Sequence, residues 1–137
     1  MQERPFDQEL LNDIVTWFDI SFMAALRCVL GSQFYMGFFA IYDSKGTRQL
    51  FKANDTLPYD FLPPRQVPVG SRIYELINRS RNSGYGEVDG EVWCRVDRTN
   101  LGVIHENAFH YHNGNYITLI WWKNDEPIWK YIEENEF

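Results

Sequence analysis

Apolar residues recur at helical spacing along the first thirty positions. Leu11, Val15, Phe18, Phe22, Ala25 and Val29 step by four and three, which puts them on one helical face. Leu10, Ile14, Trp17, Ala24 and Cys28 add a second row. The spacing predicts one long helix over 7–30, with Asp7 as N-cap and Gly31 as stop. A helix apolar over most of its girth is covered on more than one side. A sheet on one flank and a second copy of the chain on the other would cover it, so a homodimer through this helix is one expectation.

The period then changes to two. Aromatic and β-branched residues fill 34–42, and Asp43-Ser44-Lys45-Gly46 carries turn chemistry, which predicts a hairpin. Residues 53–69, "ANDTLPYDFLPPRQVPV", are proline-rich and predict a non-helical connection, either a binding loop or a crossover pinned by Tyr59, Phe61 and Leu62. Ser71 caps a short helix over about 72–82, with Gly84 ending it. "EVDGEVWCRV" alternates strictly and predicts a strand. Val88, Val92, Cys94 and Val96 share one face, and Glu87, Asp89, Glu91, Trp93 and Arg95 the other. Trp93 on that charged face suggests a contact surface.

Strands are expected at 102–112 and 115–123, joined by Asn113-Gly114, a dipeptide suited to a two-residue turn. That turn pairs 112 with 115 and 110 with 117. It sets His110 and His112 with Ile117, Leu119 and Trp121, and sets His105, Phe109 and Tyr111 with Tyr116, Ile120 and Trp122. Neither face is plainly solvated, so the hairpin is expected at the centre of the sheet. A final helix begins near Asp125-Glu126-Pro127. Together the elements describe one α+β domain: a five-stranded antiparallel sheet, laid out as a meander, with a long N-terminal helix and short helices packed on it.

Composition narrows the function. The chain has 137 residues, a net charge of −6 and an aromatic share of 17%. The acidity argues against nucleic acid and anionic membrane as partners. The aromatic surplus suits a surface that grips a ligand or a protein. No stretch reads as a signal peptide or a bilayer span, and cytoplasmic residence is the simplest expectation. Cys28 and Cys94 have no CxxC spacing and are expected as buried, reduced thiols.

No motif for catalysis is present. "GYGEVDG" lacks dinucleotide-binding spacing and follows a helix. His110 and His112 point the same way along a strand, but a metal needs a third ligand. His105 lies on the other face, and Glu106 is a strand-length away. Histidines hydrogen-bonded to neighbours are therefore expected, with no metal or cofactor, and a non-enzymatic role is expected ahead of an active site assembled from distant residues.

The order of elements resembles a single Cache or PAS-like sensor domain. A leading helix is followed by "GFFAIYDSKGTRQLF", a loop, "GSRIYELINRSRNSGYGEVDGEVW" and a closing hairpin. The "YDSKG" turn is similar to that family's Asp-x-x-Gly turn, as is the short helix that runs into "GYGEV". The likeness spans residues 7–123. It implies a small-molecule pocket between the central sheet and the 53–74 loop and helix. The candidate contacts are Tyr59, Arg72, Tyr74, Trp93, Arg95, Phe109, Tyr111 and Trp122: aromatic walls for area, arginines for an anionic group. The expected function is thus a binding module for a small polar or anionic molecule. The competing expectation is an acidic protein inhibitor, of the immunity or anti-defence kind, that blocks a basic enzyme.

Overall fold

A computed structural model describes residues 4–18, 20–32, 34–79, 83–94 and 101–135. The fold is α+β, with a five-stranded antiparallel sheet flanked by helices on both faces. The strands are β1 (Met36–Tyr42), β2 (Arg48–Ala53), β3 (Ser83–Asp89), β4 (Val103–His110) and β5 (Tyr116–Trp122). The helices are α1 (Gln8–Phe18), α2 (Phe22–Gly31), α3 (Arg72–Arg79), α4 (Gly90–Trp93) and α5 (Glu126–Glu134).

The sheet order is β2-β1-β5-β4-β3, so the layout is not a meander. β5 returns to lie beside β1 and becomes the central strand. Gly37 permits their close approach, because a Cβ there would stand 2.0 Å from the Ile120 carbonyl oxygen. β1 is buried along its whole length, and on β5 only Tyr116 is partly open. That explains their nearly continuous apolar sequences.

The expected single helix over 7–30 is two helices. The apolar spacing runs through the break, but Ser21 starts a new helix by accepting a hydrogen bond from the Ala24 amide at 3.1 Å. α1 buries Leu10 and Leu11, and α2 buries Ala25, Leu26, Val29 and Leu30, against Phe39, Ile117, Leu119 and Trp121 of the sheet. Trp17 and Phe18 drop out of the stripe and are 64% and 68% exposed. Cys28, expected buried, is exposed, while Cys94 is half-buried; both are free thiols.

The opposite face of the sheet carries the larger core. Phe61, Ile73, Leu76, Trp93 and Ile128 pack on Phe38, Ala40, Tyr42, Ile104, Ile120 and Trp122. The long loop is a pinned crossover. Tyr42 donates to the Pro64 carbonyl at 2.7 Å, and the Arg48 guanidinium donates to that of Pro63 at 2.6 Å. Phe61 and Leu62 serve as pins, but Tyr59 is 73% exposed and does not.

Two local expectations shift. The strand predicted from "EVDGEVWCRV" ends at Asp89, and residues 90–93 form a helical turn closed by the Cys94 amide on the Gly90 carbonyl at 3.0 Å. Gly90 is held against Gly102, its amide donating to that carbonyl at 2.9 Å. The turn rotates Trp93 off the charged face and into the core, where it is 1% exposed. β3 also starts earlier than expected, at Ser83, so Gly84 lies in the strand and does not end α3.

The Asn113-Gly114 turn is one residue longer than a two-residue hairpin. The Tyr111 amide donates to the Asn115 carbonyl at 2.9 Å, and Asn113 and Gly114 take φ of 59° and 75°. His110 therefore pairs with Tyr116 and Phe109 with Ile117. One extra residue exchanges the faces of β5 relative to β4. His105, Asn107 and Phe109 now share a face with Ile117, Leu119 and Trp121. Glu106, Ala108 and His110 share the other with Tyr116, Thr118, Ile120 and Trp122.

Candidate functional site

Two polar features interrupt this packing, one on each face of the sheet. The first is Glu106, which is fully buried beneath α3. Its carboxylate accepts from the amides of Arg72 at 2.7 Å and Ile73 at 3.1 Å, the first two residues of α3. It also accepts from the Thr118 hydroxyl at 2.6 Å and, weakly, from the Trp93 indole at 3.4 Å. A helix N-terminus leaves amides unpaired and favours negative charge, so Glu106 supplies from the sheet what a local cap cannot reach. Ser71 completes the cap by accepting from the Tyr74 amide at 3.1 Å. Burial raises the Glu106 carboxyl above its ordinary range, and the four donors pull it back. Glu106 ties β4, β5, α3 and α4 together and is sealed from any ligand.

The second feature is an open cleft of about 500 Å³ on the α1 and α2 side. It is lined by Gln8, Asn12, Val15, Phe22, Phe109, His110, Tyr111 and His112. The break between α1 and α2 creates it, because Phe22 at the start of α2 reaches across to the end of β4. Phe22 meets Phe109 with ring centroids 6.0 Å apart and Tyr111 at 6.0 Å. Tyr111 in turn meets His112 at 4.6 Å. The result is an unbroken run of rings along one wall. Gln8, Asn12 and Val15, spaced four and three on α1, form the facing wall. The Gln8 amide donates to Asn107 Oδ1 at 2.9 Å, which anchors the start of α1 to β4 and sets the width of the cleft.

The residues expected to share a pocket are divided between the two faces. Phe109 and Tyr111 line the cleft. Arg72, Tyr74, Trp93 and Trp122 lie on the opposite face, in or beside the larger core. The Arg72 guanidinium lies over Gly86 and donates to the Glu87 carbonyl at 3.4 Å. Tyr59 stands in solvent, and Arg95 lies outside the described residues. The space under the 53–74 segment is filled by Phe61, Ile73, Leu76 and Trp93.

His110 and His112 are exposed, and His110 packs on Tyr116 at 5.0 Å. Among the described residues no three histidine, cysteine or acidic side chains gather closely enough for a metal. The indole nitrogens of Trp121 and Trp122 are buried without a hydrogen-bond partner among the described residues. The adjacent tryptophans of β5 are thus core residues, one on each face.

Sequence reasoning missed Gln8, Asn12, Val15 and Phe22 as cleft residues. The signal was present as a polar stripe at i and i+4 on α1, which resembles any solvated helix face.

No family model matches the chain, and neither does any curated protein or solved structure. Fold and site therefore define the class alone: an α+β protein with a sealed polar network on one face of its sheet and an aromatic cleft on the other. Among the described residues, no single helix is long and apolar enough to cross a membrane.

Proposed function

We propose that the protein is a non-catalytic binding module that holds a small polar molecule in the cleft between α1, α2 and the end of β4. The observation that carries this reading is the run of rings from Phe109 through Phe22 and Tyr111 to His112, facing polar side chains across about 500 Å³. That volume and that mixture suit a site which holds an apolar body against aromatic rings and orients it by a few polar groups. Among the described residues no lysine or arginine lines the cleft, so it favours the polar side of the expected ligand range over the anionic. A sensor of the Cache or PAS-like kind would use such a module. The test is native mass spectrometry of purified protein against a metabolite panel. Retention of a small molecule by wild type, and its loss in Tyr111→Ala, supports the reading. A panel in which nothing is retained, or equal retention by Tyr111→Ala, overturns it.

One observation favours a second reading, that the chain blocks a protein partner. Trp17 and Phe18 stand exposed at the end of α1, and large exposed aromatics are typical anchors of protein interfaces. Replacing both by serine would abolish such binding and leave small-molecule retention intact.

A further inference from the structure

We infer that the ligand of this cleft is an uncharged planar heteroaromatic with a hydrogen-bond donor and acceptor side by side on one edge, as in a nucleobase. This rests on the small-molecule reading above and narrows it.

Three observations carry the inference. First, the ring wall is continuous. Centroid spacings of 4.6, 6.0 and 6.0 Å link His112, Tyr111, Phe22 and Phe109, with planes 51°, 47° and 75° apart, so the wall offers ring edges and faces by turns and suits an aromatic ring that can stack on one and meet the edge of the next. Second, the facing wall ends in two carboxamides. Gln8 and Asn12 lie one turn apart on the same helix face, and no side-chain atom of either is hydrogen-bonded within the described residues. A carboxamide carries a donor and an acceptor in one plane, and it pairs in bidentate fashion with an edge of the same kind. Third, among the described residues no acidic or permanently basic side chain lines the cleft, in a chain of net charge −6. An anion would meet an unfavourable field without an arginine to offset it, and a cation would find no carboxylate. An aromatic wall, neutral lining and a pair of carboxamides together describe a site for a nucleobase-like ring.

The test is a chemical-shift titration of the full chain with adenosine and guanosine, beside benzoate and ribose. Benzoate supplies a ring without the paired edge, and ribose supplies polarity without a ring. The expected result is that a nucleoside moves the side-chain amide signals of Gln8 and Asn12 together with the ring signals of Tyr111. Asn12→Ala and Gln8→Ala, both at exposed positions, should leave the melting temperature unchanged and each weaken binding by about tenfold. If benzoate or ribose moves the cleft signals and neither nucleoside does, the ligand class is wrong while the binding module stands. If nucleoside binding is indifferent to both alanine variants, the class is likewise wrong. If no probe moves any cleft signal, the inference and the reading beneath it both fall.

Discussion

Glu106→Ala is the substitution whose cost can be worked most fully from the structure. The carboxylate is buried and accepts at 2.7, 3.1, 2.6 and 3.4 Å. Its removal leaves the Arg72 and Ile73 amides and the Thr118 hydroxyl short of a partner in a dry interior. A buried donor left unpaired costs about 1–3 kcal/mol. Three such losses would sum to roughly 3–9 kcal/mol, and escape of a poorly solvated carboxyl offsets part of that. The expected net loss is about 3–5 kcal/mol. At about 3 °C per kcal/mol for a chain of this size, the melting temperature falls by roughly 10–15 °C.

Urea unfolding followed by tryptophan fluorescence reads the effect directly, because Trp93 sits against the carboxylate. Thr118→Val should cost less, about 1 kcal/mol. The double variant should fall short of the sum of the two, since the partners share one bond. A Glu106→Ala protein within about 1 kcal/mol of wild type would refute the view that this residue holds α3 on the sheet.

The same group sets a pH dependence. Burial raises its folded-state value above the unfolded one, so the folded protein holds this proton more tightly. The stabilisation is complete below the unfolded carboxyl range and is lost as pH rises through the folded value. Relative to Glu106→Gln, wild type should therefore lose stability as pH rises above the ordinary carboxyl range, and the opposite slope would contradict the assignment. The two thiols should differ in reactivity. Cys28 is exposed, whereas burial pushes Cys94 up to about 12, so a disulfide reagent near neutral pH should label one thiol in the folded protein and both after denaturation. Gly114→Ala meets no atom within 4 Å but sits at φ of 75°, so it should cost about 1 kcal/mol by denaturant midpoint through backbone strain alone. Gly37→Ala drives a methyl to 2.0 Å from the Ile120 oxygen and should part β1 from β5, with a loss of about 3 kcal/mol or more in the same assay.

Features governed by neighbours in sequence were legible before the structure. The Asp43–Gly46 turn was legible because an aspartate and a glycine carry its whole chemistry. Asp43 Oδ1 accepts from the Lys45 and Thr47 amides at 2.9 and 3.0 Å, and Gly46 takes φ of 80°. The cap at Ser71, the periods of β1, β4 and β5 and the α+β class were legible for the same reason. Features decided by distant contacts were not. Apolar spacing continued through residues 19–21, so nothing in the period marked the break that opens the cleft. Asn113-Gly114 announced a turn but not its length, and one residue exchanged the faces of β5. Trp93 sat in a strict alternation, yet packing of Gly90 against Gly102 turned it inward. Glu106 looked like any strand carboxylate, because its partners on α3 lie 33 and 34 positions away. The expected site suffered accordingly: Phe109 and Tyr111 stayed in a cleft, while Arg72, Tyr74, Trp93 and Trp122 went to the opposite face.

The most direct measurement is a crystal of the full chain soaked with a fragment library rich in small polar aromatics. Bound fragments should concentrate between the Phe22–Tyr111 ring wall and the Gln8–Asn12 face of α1. Fragments that cluster elsewhere on the molecule and leave that cleft empty would contradict the account.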